Sequence, residues 1–142
     1  MNIEEKKLLY QENNKVVLSI WEMRYKIMTR FFVTVSALLV AAGYCYKTPE
    51  LSKWVFVPLA IASMISIVSH LLDGVNTWTA RGCYKIGKEL EKNMGDGQWI
   101  YFMINDGHYN LGSYAQILKF LYVSSSIIFA FLSLVLGVAS WQ

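Results

Sequence analysis

The stretch "WVFVPLAIASMISIVSHLLDGVN", Trp54 to Asn76, decides the fold. From Trp54 to Leu72 it carries no Asp, Glu, Lys or Arg, and then it turns polar at Asp73. At about 1.5 Å of rise per helical residue, such a run crosses the ~30 Å of a bilayer's hydrocarbon with modest local thinning. Yet it places an ionisable side chain, His70, inside the apolar run and a carboxylate three residues later. Such groups mark a polar pathway, a helix contact or the membrane boundary.

Two more blocks resemble it. Phe31 to Tyr46 is uncharged and is extended by Ile27, Met28 and Thr29 beyond Arg30, an arginine able to snorkel to the headgroups. Phe120 to Trp141 is also uncharged. Within 142 residues the hydrophobic share is 55% and the charged share 16%, against about 25% charged in ordinary soluble domains. The sequence therefore predicts an all-α, polytopic membrane protein of a single helical membrane domain. Residues 30–47, 54–72 and 118–141 are its three spans, with helical cytoplasmic extensions at 1–29 and 73–116. The first apolar block lies beyond a polar segment of mixed charge with no A-x-A-like site after it, which does not fit a secretory leader.

Lys6, Lys7, Lys15, Arg24, Lys26 and Arg30 precede the first span. Arg81, Lys85, Lys88 and Lys92 lie between the second and third, with Lys119 at the end of that segment, whereas the short loop holds Lys47 and Lys53. Positive residues stay inside, so the N-terminus and the middle segment are expected in the cytoplasm and "VASWQ" outside. Thr48-Pro49 makes the outer turn, because proline disfavours a continuing helix. Cys45 and Cys83 then fall on opposite sides, which argues against a disulfide. The net charge of +3 reflects this orientation more than any affinity for nucleic acid.

In the N-terminal segment Leu9, Val16, Ile20, Met23 and Ile27 recur at helical spacing, with Glu12–Lys15 and Glu22–Lys26 as neighbouring pairs. This predicts one long helix running into the first span; the alternative is an amphipathic helix lying flat on the bilayer. Past Leu72 the helical pattern continues, with Val75, Trp78, Cys83, Ile86 and Leu90 able to share a face, until Gly95 and Gly97. The segment "QWIYFMINDGHYNLGSY" (98–114) is too short and interrupted to span.

No phosphate loop, nucleophile elbow or zinc-protease motif occurs. Carboxylates pair only with helix-surface lysines, and His70 and His108 stand far apart without nearby cysteine. The chain is therefore not expected to be an enzyme, and neither a cofactor nor a metal is expected. Instead, Ser63, Ser66 and His70 form a polar line on the second span that Gly74 and Thr77 continue. It either packs helices or lines a pore. Ser126, Ala130, Ser133 and Gly137 make a small-residue line on the third span, read as a helix contact. Asp73 either pairs with Arg24 or Arg30 of the neighbouring helix or is solvated among headgroups. Arg81, Lys85, Lys88 and Lys92, with Tyr84, Trp99, Tyr101 and Tyr109, form a set able to hold an anionic nucleotide or oligonucleotide by charge and stacking. Interfacial anchoring explains the same residues.

"SIWEMRYKIMTRFF" (19–32) and "LLDGVNTWTARGCYKIGKELEKNMG" (71–95) resemble small bacterial anti-phage transmembrane effectors of the SLATT-like type, including channel subunits of Hailong-type systems. The likeness covers roughly residues 10–97 and consists of aromatic, basic and Leu-Glu positions. The third span and the lack of a separate sensor domain depart from that pattern. The resemblance implies an oligomeric pore that permeabilises the bacterial inner membrane when activated. Three spans are too few to enclose a sizeable aqueous path, so conduction requires a homo-oligomer, and a cyclic one follows from closed symmetry. A non-conducting immunity or exclusion factor that binds another membrane protein is the alternative.

Overall fold

The computed structural model describes residues 2–94, 101 and 111–140. Helix α1 spans Ile3–Lys47, a 3-10 turn spans Ser52–Trp54, α2 spans Phe56–Met94 and α3 spans Leu111–Ala139. There is no strand among the described residues. All three helices are long and apolar enough to cross a membrane. At 45 residues α1 is about 68 Å long, roughly twice a bilayer's hydrocarbon thickness.

Local chemistry sets the helix ends. Asn2 caps α1: its side-chain Oδ1 accepts from Ile3 N–H at 2.7 Å, and Glu5 Oε2 accepts from Asn2 N–H at 3.0 Å. This is the back-bond of a capping box, with Glu4 and Glu5 also favoured by the helix dipole. Pro49 stops α1, since it has no N–H and biases Thr48 away from helix. Thr48 covers the frayed end, its N–H and Oγ1 both donating to Tyr44 O, at 3.2 and 3.0 Å. Pro58 is accommodated because it lies in the first turn of α2, where an N–H has no helical acceptor.

The contacts divide the chain into two units. One comprises Met1–Tyr25 with Asp73–Ile117, the other Lys26–Leu72 with Leu118–Gln142. Both α1 and α2 contribute to each, and the second unit holds the three apolar blocks.

In the first unit the N-terminal part of α1 lies antiparallel to the C-terminal part of α2. The core is Tyr10, Val17, Leu90 and Tyr101, with Trp21, Cys83 and Tyr84 packed against it. The buried face of α1 runs Tyr10, Asn13, Val17, Ile20, Arg24. This corrects the apolar pattern read from sequence: of its members only Ile20 is buried, and Leu9, Val16 and Met23 are exposed. On α2, likewise, Val75, Trp78 and Ile86 are exposed while Asp73, Ala80, Leu90 and Glu91 are buried. The reason is that polar side chains with partners across the pair occupy the inner face, which displaces the apolar periodicity by part of a turn.

The second unit has two apolar clusters. Phe31, Val35, Leu118 and Tyr122 form one, with the Phe31 and Tyr122 rings edge to face at 4.9 Å. Ala42, Val55 and Leu59 form the other. Its outer faces are apolar too. Ile127, Phe131, Leu134 and Val138 make an unbroken stripe along α3, each between 63% and 69% exposed.

Candidate functional site

In the first unit, Arg24 reaches across from α1 to Asp73 on α2. Its Nε donates to Oδ1 at 2.7 Å and its Nη2 to Oδ2 at 3.2 Å, a two-pronged ion pair with both side chains almost fully buried. The guanidinium carbon also lies 5.3 Å from the centre of the Trp21 ring, one helical turn earlier, within cation–π range. Trp21 Nε1 donates to Tyr84 Oη at 2.9 Å, which ties the same cluster to α2 a second time. Of the two cations considered for Asp73, Arg24 is the one that pairs, and Arg30 is exposed. Asp73 is therefore not a solvated headgroup carboxylate.

A second network lies farther along the pair. Glu91 is buried and its Oε1 accepts from both the Tyr10 hydroxyl and the Tyr101 N–H, each at 2.9 Å. Glu91 thus departs from the expectation that carboxylates serve only as surface partners of lysines. Its sequence neighbourhood, "KELEK", gives no sign of this; only the position of Tyr10 on the facing helix does. Tyr101 Oη donates to Asn14 Oδ1, and Asn13 Nδ2 donates to Cys83 O at 3.0 Å. Burial pushes the Tyr10 hydroxyl up to about 12, and Glu91, as hydrogen-bond acceptor and negative neighbour, adds to it. Burial likewise raises Tyr101 to about 12 and shifts Tyr84 upward.

Tyr101 packs flat against backbone. A methyl group added at Gly87 would lie 2.5–2.6 Å from its ring carbons, so glycine is what lets the ring approach. The ring is 2% exposed and offers no face to a stacking base. Of the other residues proposed to hold an anion, Arg81, Lys85 and Lys92 are exposed and Lys88 is half-buried. They recur at four, three and four residues along one side of α2. Trp99, His108, Tyr109, Gly95 and Gly97 lie outside the described residues.

In the second unit the serine line of α2 faces α3. Ser63 Oγ donates to Ser126 O at 3.0 Å and is 3.3 Å from Ser126 Oγ. Ser66 is fully buried and donates to Ala62 O at 2.8 Å, a bond within its own helix. Ser133 Oγ donates to Phe56 O at 3.0 Å, and Gly137 sits against the Phe56 side chain. Ser126, Ala130, Ser133 and Gly137 thus share the half-buried side of α3 that meets α2. Neither Ser63 nor Ser66 faces open space inside the protomer. His70 is half-buried and makes no hydrogen bond among the described residues. Cys45 and Cys83 are free thiols.

No protein-family model, curated protein or solved structure matches the chain.

Proposed function

We propose that this chain is a multi-pass protein of the bacterial inner membrane whose copies form a cyclic, ion-conducting homo-oligomer, an effector of anti-phage defence. On this reading the first unit projects into the cytoplasm and receives the activating signal. The apolar outer faces of all three long helices support the membrane placement, because surfaces of that kind need lipid or another protein against them. His70 carries the conducting reading. It is the one ionisable side chain in the apolar run of α2, and it lacks a hydrogen-bonding partner among the described residues. An intramembrane histidine in that state calls for water or for a polar group from a neighbouring copy.

Since Ser63 and Ser66 are engaged within the protomer, the conducting path runs between protomers. In that arrangement His70 lines it and the two serines set the packing of its wall.

One observation favours the second reading, a non-conducting immunity or exclusion factor bound to another membrane protein. The Ser63–Ser126 and Ser133–Phe56 bonds commit these span hydroxyls to helix packing. Controlled expression separates the readings. A conductor collapses the membrane potential of the cells that make it, and His70→Ala changes the extent of collapse. An exclusion factor leaves potential and growth unchanged at the same membrane abundance, and that result would overturn the proposal.

A further inference from the structure

The hairpin of the first unit has two flanks, and the contacts across it tell them apart. Asn13 meets Cys83 on one flank, and Trp21 meets Tyr84 on the other. Helical spacing then assigns the exposed residues. Leu9 and Val16 lie one turn either side of Asn13, and Met23 is a further two turns on, so this apolar stripe belongs to the Asn13 flank. All three are about half exposed, at 46–53%. Glu5 and Glu12 follow the same line and are exposed. Arg81 and Lys88 lie one turn either side of Tyr84, with Lys85 and Lys92 along the same line, so the cations belong to the opposite flank. Leu18, Tyr25 and Trp78 are exposed beside them, Trp78 at 78%. One flank is therefore apolar with carboxylates; the other is apolar with cations in excess over the exposed Glu22, which lies between Leu18 and Tyr25, and the two point in opposite directions.

We propose that the acidic flank of one copy docks on the basic flank of the next, head to tail, around an axis parallel to the hairpin. This rests on the oligomer put forward above and names its cytoplasmic interface. Two different complementary patches on opposite sides of one body generate a ring when the rotation closes. The register supports the match. A parallel axis keeps each residue at its own height, and the contacts within the hairpin fix those heights: Arg24 is level with Asp73, Asn13 with Cys83 and Tyr10 with Glu91. Glu12 therefore comes within about a turn of the height of Lys85 of the next copy, and Glu5 within about a turn of Lys92. Met23 comes within a turn of Trp78, a thioether against an indole. Val16 meets Leu18, and the methylene stems of Lys85 and Arg81 cover Leu9 and Val16. Glu12 already holds Lys15 at 2.7 Å and Glu5 accepts from Asn2 N–H at 3.0 Å, but both contacts are exposed and weak, so they exchange readily.

The test is the mass of the full-length protein in nanodiscs or mild detergent, read across a concentration series. Glu5→Lys with Glu12→Lys raises the concentration at half-assembly by about tenfold or more, as expected for inverting two exposed pairs. Lys85→Glu with Lys92→Glu does the same. The four substitutions together restore assembly, which no general loss of folding can do; circular dichroism confirms equal helicity. Assembly unaffected by either reversal, a monomeric wild-type protein, or no recovery in the combined variant each overturns the proposal. Among these, loss with the lysine reversals alone assigns the basic flank to an anionic ligand instead. The readout is mass, not current, so a rescued ring that carries no current refutes the conducting function and leaves the interface standing. Currents that survive both reversals in an intact oligomer do the converse.

Discussion

Removing one partner of the Arg24–Asp73 pair has the most sharply defined consequence. Asp73→Ala takes from the guanidinium, enclosed by α1, α2 and the Trp21 ring, the buried carboxylate it holds at 2.7 Å, and Arg24→Ala takes that guanidinium from Asp73. Both side chains are only 5–6% exposed, so water cannot replace the lost partner without opening the hairpin. Breaking a buried pair in this way costs about 3–5 kcal/mol. The two bonds, at 2.7 and 3.2 Å, give a consistent figure at about 1.5–3 kcal/mol for each hydrogen bond to a charged group. For a chain of this size about 4 kcal/mol corresponds to a fall of roughly 8–16 °C in Tm. The assay is thermal unfolding in detergent followed by circular dichroism, with hydrogen exchange reading the first unit directly. Replacing both partners with apolar residues, Arg24→Met with Asp73→Leu, recovers most of the loss, because an apolar pair needs no desolvation. Arg30→Ala stays within about 0.5 kcal/mol. If the single variants each cost under about 1 kcal/mol and the double variant is additive, the pair is solvated and the reasoning fails.

Gly87→Ala drives a methyl group into the Tyr101 ring and costs about 1–3 kcal/mol, with faster exchange of amides near Asn13 and Glu91, whereas Gly82→Ala, which meets open space, does not destabilise; equal melting of the two variants would show that Tyr101 does not pack there. Alkaline pH loosens the same core. Tyr10 and Tyr101 are protonated in both folded and unfolded chain below about 10, and between about 10 and 12 the unfolded chain ionises first. Stability is thus flat up to about pH 10 and falls from there to about 12, as tyrosinate absorbance and helicity followed together will report; a decline centred on neutral pH would be inconsistent with these shifts.

The sequence carries the helices because uncharged runs and proline placement act locally, and no partner is needed to read them. Pro49 ends α1 and Pro58 fits the first turn of α2 for reasons visible in the residues themselves. Which face a helix buries is another matter. Leu9, Val16 and Met23 have the spacing of a core stripe, yet Asn13 and Arg24 lie inside, because Cys83 and Asp73 face them from α2. Asp73 was legible as a boundary carboxylate with a nearby arginine. That the arginine is Arg24 depends on height along the pair. Glu91 was hidden for the same reason: nothing next to it in sequence offers two donors, and they arrive from Tyr10 and Tyr101. Ser63 and Ser66 were legible as a stripe, but whether a hydroxyl lines water or bonds a neighbour is decided by what faces it, here Ser126.

The conducting reading is tested most directly by voltage-clamp recording of purified, full-length protein in planar bilayers, with insertion verified on the same preparation. Discrete steps of current are expected, altered in size or open time by His70→Ala and absent in bilayers without protein. Silence from verified, oligomeric, inserted protein across voltage and with anionic nucleotides added would contradict it.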